Sequence, residues 1–347
     1  PDNRTNLFNY TTSSYNTGWM NGDIKLATLS DTDDTDVTGS ELVTNGTFDS
    51  DTSGWTSQYA TLSVASGKMR VTNTATNGSG LYYWTAEVGK KYVLTADFDI
   101  GTAGGGQLRV WESLDGTIVS TVSIGSSGTY TLTFTATQSS LIIRCMTLGN
   151  SGKYSDWDNV SVRLAEEDRS VNGNGLQVFG TVTKNPVATG ADLVAYSVFS
   201  ASNYLQQPYN SDLDFGTGDF TVMGWLKGTD NYFHILDNRN TALTDGWGLQ
   251  VYNNSGTRMR LILGGATADG IISLADGVWT HFTVTRRGSA VEYYRNGINV
   301  ATNTNADWSS YSTSKSDTAG MKIGVRGDAG GVAYDGSFSL LRISATA

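Results

Sequence analysis

Residues 129–136 read Thr-Tyr-Thr-Leu-Thr-Phe-Thr-Ala, a strict alternation of polar and larger apolar side chains. Successive side chains of a β-strand point to opposite faces, so the apolar ones here would all share one face. Strands that are buried on one side only have this pattern, which is typical of antiparallel sheets. The stretch therefore predicts a half-buried strand in an antiparallel sheet.

The same alternation recurs at residues 92–98 and 160–164, and Gly- and Asn-rich turns such as 77–80 separate these segments. The 347-residue chain contains 41 Gly and only 3 Pro, and it has no long segment with the 3.6-residue period of a helix. In residues 292–300, the pair Asn296-Gly297 is typical of a type I′ hairpin turn. We therefore predict an all-β protein.

The predicted architecture is two antiparallel β-sandwich (jelly-roll) domains in tandem, after a short extended N-terminal arm. The arm and a polar linker cover residues 1–40, and the linker is rich in Asp. The first domain covers residues 41–165, and the second covers residues 170–347. A chain of this length is sufficient for two domains with separate cores.

The charge and the rare residue types exclude several functions. The formal net charge is −10, which disfavours binding to nucleic acid or to anionic membranes. No apolar run is long enough to insert into a membrane. Cys145 is the single cysteine, so no intrachain disulfide forms, and we expect it to fill a core. With His234 and His281 as the only histidines, a zinc site of Cys and His ligands is not expected.

Both ends of the first domain resemble a known family. Residues 42–49 read Leu-Val-Thr-Asn-Gly-Thr-Phe-Asp, Gly54-Trp55 follows, and residues 156–162 read Asp-Trp-Asp-Asn-Val-Ser-Val. This resembles the jelly-roll carbohydrate-binding modules that are appended to bacterial glucanases and xylanases. The resemblance implies a structural Ca²⁺ between the first and last strands, with Asp49 and Asp158 as ligands.

The second domain resembles laminin G-like (concanavalin A-like) domains. The matching motifs are Asp-Phe-Gly-Thr-Gly-Asp-Phe-Thr-Val-Met-Gly-Trp at 214–225, Trp-Thr-His-Phe at 279–282, Tyr-Arg-Asn-Gly at 294–297 and Tyr-Asp-Gly-Ser-Phe-Ser at 334–339. The resemblance implies a further Ca²⁺ ligand at Asp335. Ser339 departs from the pattern, because many relatives have an Asp shortly after the final Asp-Gly.

Aromatic residues are the candidate carbohydrate-binding groups, because sugars stack their C–H patches on ring faces. The predicted sugar-binding rings are Trp55, Tyr82, Trp84, Trp111, Trp247 and Trp308. Tyr83 lies between two of them, so at least one of these three adjacent rings must face away from the core if the segment is a strand. The alternative is that the rings pack within the cores or across strands.

Catalytic signatures are missing from the sequence. The Glu-x-Asp-x-x-Glu strand of related glucanases and the Gly-x-Ser-x-Gly elbow of hydrolases both do not occur. His281 follows Trp279 by two positions, and this pairing fits a structural role. The sequence therefore predicts that the protein is not an enzyme.

The order of both modules behind residues 15–23 resembles the C-terminal part of bacteriophage tail or virion surface proteins. This implies adhesion to host surface polysaccharide, other virion proteins as partners, a homo-oligomer (a trimer in a tail fibre), and a virion-surface or extracellular location. One alternative is a pair of secreted bacterial carbohydrate-binding modules detached from a glycoside hydrolase. The other is a purely structural virion protein without a sugar ligand.

Overall fold

The computed structural model describes residues 24–27, 34–114, 116–166, 168, 174–189, 193–228, 232–253, 257–272, 274, 277–328 and 333–345. Apart from 3₁₀ turns at Ser211–Leu213 and Trp308–Ser310, the regular structure of this part of the chain is entirely β. The sheets are antiparallel, so the all-β prediction is confirmed. Within the same residues, no helix has the length and hydrophobicity needed to cross a membrane.

The strands up to residue 166 are β1 (Ile24–Ala27), β2 (Val37–Gly39), β3 (Thr56–Gln58), β4 (Ala60–Ala65), β5 (Lys68–Asn73), β6 (Ser79–Thr85), β7 (Lys91–Asp99), β8 (Gly106–Trp111), β9 (Ile118–Ile124), β10 (Gly128–Thr135), β11 (Ser140–Thr147) and β12 (Tyr154–Glu166). Those that follow are β13 (Leu176–Pro186), β14 (Val194–Ser197), β15 (Tyr204–Gln207), β16 (Phe220–Gly228), β17 (Phe233–Arg239), β18 (Gly246–Asn253), β19 (Thr257–Leu263), β20 (Ala266–Ile271), β21 (Thr280–Arg287), β22 (Ala290–Arg295), β23 (Ile298–Asn303), β24 (Met321–Ile323) and β25 (Gly336–Ser344).

The N-terminal domain is a jelly-roll sandwich of two sheets. One sheet has the strand order β3-β6-β11-β8-β9, and the other has the order β4-β5-β12-β7-β10. On β10, Leu132 and Phe134 are buried in the core between the sheets, as the alternation at 129–136 predicts. Cys145 is fully buried in the same core, where it acts as a small apolar side chain.

The C-terminal domain is a second sandwich with its own core. One sheet contains β20-β19-β18-β17-β24-β15-β13, and the other contains β23-β22-β21-β16-β25-β14-β13. The long strand β13 therefore takes part in both sheets, first beside β15 and then beside β14. Asn296 and Gly297 have φ of 50° and 80°, which confirms the predicted turn between β22 and β23.

Two short strands before residue 40, β1 and β2, form part of the C-terminal domain. β1 pairs with β25, from Ile24 opposite Ser344, and β2 pairs with β13, from Gly39 opposite Gly180. The N-terminal domain is thus inserted in the sequence between two strands of the C-terminal domain. For residues 24–27 and 37–39, this corrects the prediction of an arm outside both domains; residues 1–23 and 28–33 lie outside the described part of the chain.

Candidate functional site

One face of the sheet β3-β6-β11-β8-β9 points away from the core of the N-terminal domain. On β8, Leu108 and Val110 enter the core, so their neighbours on the same strand point outwards. Trp111 belongs to a small separate cluster with Leu81 and Ile142. We call this surface the outer sheet face; its residues are Thr56, Gln58, Ser79, Leu81, Tyr83, Gln107, Arg109, Trp111, Thr121, Ser123, Ile142, Arg144 and Met146.

The strand register arranges these side chains in rows across the sheet. The first row is aromatic and aliphatic, with Ile142 directly between Tyr83 and Trp111. In the second row, Arg144 is directly opposite Arg109. In the third row, Met146 lies among small or amide-bearing side chains, namely Gln58, Ser79, Gln107 and Ser123. Apolar, basic and hydrogen-bonding groups therefore lie side by side.

Both arginines pack near the indole of Trp111. The guanidinium carbon of Arg144 lies 4.3 Å from the ring centroid, and that of Arg109 lies 5.8 Å from it. Cations within about 6 Å of an indole are attracted by the electron-rich ring face. Arg144 is also fixed by a hydrogen bond from its Nε to Ser79 Oγ, at 2.8 Å. Packing on the ring thus holds the basic row in place.

Several buried polar atoms of the outer sheet face have no hydrogen-bond partner among the described residues. They are Trp111 Nε1, Arg109 Nε and Gln58 Oε1. A buried donor or acceptor without a partner costs about 1–3 kcal/mol, so such atoms indicate a water molecule or a ligand. Burial also lowers the pKa of Arg109, since it disfavours the charged guanidinium.

The predicted rings of the N-terminal domain are buried. Trp55, Tyr82 and Trp84 are at most 8% exposed and belong to the core between the sheets. Tyr82 has a structural partner as well, because its hydroxyl accepts a hydrogen bond from the amide of Thr44 at 2.9 Å. These rings offer no face to a sugar, which corrects their choice as binding residues.

Tyr83 is the exposed ring of the outer sheet face. It is 47% exposed, whereas its neighbours on both sides point into the core. This confirms that one of the three adjacent rings faces outwards. Trp111 is on the outer sheet face, as a binding residue would be, but it is only 6% exposed beneath its cationic neighbours.

Trp247 and Trp308 of the C-terminal domain are buried as well, at 0% and 3% exposure. Trp247 Nε1 donates to the carbonyl oxygen of Leu213 at 2.8 Å, and Trp308 Nε1 donates to Asn303 Oδ1 at 3.1 Å. Both indoles thus have their polar atoms satisfied inside the fold. Their predicted role in sugar binding is therefore corrected to packing.

Sequence reasoning missed the open indole of this domain, Trp225. It is 37% exposed on β16, and with Trp279 it lines an apolar cavity of about 220 Å³. The imidazole of His281 packs on Trp225 with ring centroids 5.3 Å apart. The signal was available, because the alternation of β16 buries Phe220 and places Trp225 on the opposite face.

The predicted calcium ligands lie in different surroundings. The pKa of Asp158 is raised, first by burial and further by the charges of Asp97 and Asp49. Asp49 accepts a hydrogen bond from Thr47 Oγ1 at 2.8 Å. Asp335 is exposed. Among the residues that the structure describes, no three acidic, His or Cys side chains form a metal-binding group. An ion at Asp49 and Asp158 would therefore need backbone oxygens or water as its other ligands.

Comparison with known proteins assigns one of the two domains. Residues 199–347 match the laminin G-like family model described as the concanavalin A-like lectin/glucanases superfamily. A search of curated proteins found no match.

The solved structures that match this chain are only distantly related to it in sequence. They include domain 4 of the extracellular arabinanase AbnA from Geobacillus stearothermophilus in complex with arabinotriose, at 17% identity over 51% of this chain and 85% of that chain, with a TM-score of 0.38. A putative carbohydrate-binding protein from Bacteroides ovatus is 13% identical over 78% and 77% of the two chains, with a TM-score of 0.34. A CBM4 structure is 16% identical over 35% of this chain and 98% of that chain, with a TM-score of 0.31. The family match identifies residues 199–347 as a concanavalin A-like domain.

Proposed function

We propose that the protein is a non-catalytic glycan-binding protein and that the outer sheet face binds the sugar. The observation that carries this proposal is the open ring of Tyr83, which lies in one row with Trp111 and next to polar atoms without partners. Sugar-binding sites combine these two features, a ring for the C–H face and hydrogen-bonding groups for the hydroxyls. The lectin-type family match of the other domain supports the same class of ligand.

Binding at a single face of this kind is weak. A sugar replaces well-made contacts with water, so only the surplus from stacking and improved hydrogen bonds contributes. We expect dissociation constants between about 1 mM and 1 μM, which correspond to about −4 to −8 kcal/mol. Presentation on an oligomer would raise the avidity by a large factor without new contacts.

Adjacent residues on β6 provide a matched test. Tyr83→Ala removes the open ring, so we expect binding to weaken about fivefold or more while the melting temperature stays unchanged. Trp84→Ala removes a core ring instead, and we expect it to lower the free energy of unfolding by about 3–5 kcal/mol. Retention on an array of neutral and acidic glycans, followed by calorimetric titration, measures the first effect.

Two results would contradict glycan binding at this face. The first is that the parent protein binds nothing on the array. The second is that the Tyr83→Ala variant binds as tightly as the parent. The first result favours the alternative of a structural protein without a sugar ligand. The second result favours the exposed indole of Trp225 as the sugar-binding ring.

We further propose that the protein is located on the surface of a phage tail or virion and binds host polysaccharide there. The support is the resemblance of the two modules in this order to such proteins; residues 15–23, which form part of it, lie outside the described residues. An upstream tail-assembly domain in the full reading frame supports this location, while an upstream glycoside hydrolase domain supports the secreted bacterial alternative. Release of reducing ends from purified polysaccharides would contradict the non-catalytic proposal.

A structural Ca²⁺ at Asp49 and Asp158 is part of the same proposal. Burial and then the charges of Asp97 and Asp49 raise the pKa of Asp158, and a divalent cation would relieve this repulsion, which is the electrostatic support for the site. The ion would fix the first residues of the domain to its last strand, β12.

A further inference from the structure

We infer that the outer sheet face selects acidic glycans and that Arg109 and Arg144 bind the sugar carboxylate. This inference rests on the proposed glycan-binding function and adds the chemical class of the ligand. Three observations support it: the two arginines are paired across neighbouring strands, polar atoms beside them lack hydrogen-bond partners, and the adjoining rows carry aromatic and polar side chains.

The two arginines are in an arrangement that an anion would stabilise. Arg144 and Arg109 are directly opposite each other on β11 and β8, and both side chains point to the same face. Like charges in such cross-strand positions destabilise a sheet. An anion between them would convert this repulsion into two attractive contacts.

Arg109 has the capacity to accept such a ligand. Within the described part of the chain it forms no ion pair, and its Nε has no acceptor. The guanidinium of Arg109 packs near the indole of Trp111 and not against a carboxylate. A carboxylate matches the fork of a guanidinium with two parallel hydrogen bonds, and a modest change of rotamer would bring these donors to the ligand.

The rows around the arginines carry no competing negative charge among the described side chains. The arginine row continues through Leu81 on one side and Thr121 on the other. The nearest described carboxylate at the end of β8, Glu112, already accepts a hydrogen bond from Thr137 Oγ1 at 2.7 Å. Among its described side chains, the outer sheet face therefore carries two positive charges and no negative one.

The exposed ring of Tyr83 completes a site for a sugar with a charged group. Tyr83 is one row away from Arg144 and on the same face. Neighbouring rows on one face lie roughly 7 Å apart along a strand, about the width of one sugar ring. A pyranose stacked on Tyr83 can thus place a carboxylate substituent over the arginine row.

The test compares acidic polysaccharides with their own uncharged derivatives. The probes are polygalacturonate, alginate, hyaluronate and polysialic acid, each beside its carboxyl-reduced form. We expect the full-length protein to bind at least one acidic polymer about tenfold more tightly than its reduced form. This preference should shrink as the salt concentration rises, because partly exposed ion pairs are screened.

Arg109→Gln removes the charge but keeps a side chain of similar length. We expect about tenfold weaker binding to the acidic polymer and no change for any neutral glycan that binds. Arg287→Gln is the matched control, because Arg287 is 64% exposed on the other domain and should change neither affinity. Should Arg109→Gln fail to fold, the salt dependence and the reduced polymers test the inference with the parent protein.

The possible failures are distinguishable. Equal binding to acidic and carboxyl-reduced polymers would overturn the selection of acidic glycans and leave the proposed glycan-binding function intact. Preferential binding of acidic polymers that Arg109→Gln leaves unchanged would overturn the role of the arginines. Binding to no acidic and no neutral glycan would overturn both the inference and the proposed function.

Discussion

The guanidinium carbon of Arg163, on the last strand of the N-terminal domain, lies 4.2 Å from the centroid of the Phe179 ring on the first long strand of the C-terminal domain. Phe179 in turn stacks on Tyr204, with ring centroids 4.5 Å apart and an angle of 9° between the planes. The same arginine donates from Nη1 to the carbonyl oxygen of Gly39, at 3.1 Å. One side chain therefore connects the inserted domain with two strands of the other domain.

Arg163→Ala should loosen the junction between the domains. The change removes a cation–π contact, a charged hydrogen bond and a 3.3 Å ion pair with Glu41 from a largely buried side chain. We expect a loss of about 2 kcal/mol in the free energy of unfolding, and separation of the thermal transitions of the two domains. Differential scanning calorimetry measures both effects, with the exposed Arg287→Ala as a control that should change little.

Gly39→Ala tests the insertion of one domain into the other. A Cβ at Gly39 would lie 2.1 Å from the carbonyl oxygen of Val178, so β2 would have to separate from β13. Although residue 39 precedes the N-terminal domain in the sequence, we expect the change to destabilise the C-terminal domain. The expected loss in its free energy of unfolding is about 2 kcal/mol or more, as for a severe packing defect. Gly125→Ala is the control, because its Cβ would meet nothing within 4 Å. A loss confined to the N-terminal domain would contradict the insertion.

The fold class could be predicted because alternation is a local property of the sequence. Residues 129–135 lie on β10, where Leu132 and Phe134 of the predicted face are buried, and Asn296-Gly297 forms the predicted turn. The insertion could not be predicted in this way. β1 and β2 are short, and their partners lie more than 140 residues away in the sequence, so no local period marks them.

The outer sheet face could be predicted only in part, for a related reason. Alternation separates Tyr83 from its two aromatic neighbours, but it does not say which face of the strand is the core. That depends on which sheet packs against β6, a property of the whole domain. The row that contains Arg109 and Arg144 could not be predicted from the sequence either, because these residues become neighbours only through the pairing of β8 with β11.

His234 should make the protein sensitive to acid. It is 1% exposed, and burial lowers its pKa to about 4, although nearby Asp237 opposes this effect. In the unfolded chain the imidazole binds a proton near the usual pKa of 6.5. The contribution of His234 to the free energy of unfolding is therefore fully present above that pH and is lost as the pH falls towards 4. The expected loss from this group is about 3 kcal/mol.

Urea unfolding of the parent protein and of a His234→Gln variant between pH 4 and pH 7 measures this contribution. We expect the variant to be less stable than the parent at pH 7, owing to altered packing, but to lose less stability on acidification. Because other carboxylates also titrate in this range, the difference between the two proteins is the relevant quantity. Parallel pH profiles for both proteins would show that His234 does not contribute.

Calcium should stabilise the N-terminal domain through Asp158. Its pKa is raised, so ionisation of this carboxyl is less favourable in the folded protein than in the unfolded chain, and the cost appears as the pH rises through the folded pKa. Calcium at about 100-fold above its dissociation constant would add about 2.7 kcal/mol of stability.

Asp158→Asn separates the two contributions. Without calcium we expect the variant to melt at the same temperature as the chelated parent or slightly above it, because the unfavourable charge is gone. With calcium we expect its melting temperature to stay constant while that of the parent rises. Asp335→Asn is the control, since Asp335 is exposed on the other domain and should leave this response intact. Coincident melting curves of the parent protein with calcium and with chelator would exclude the site.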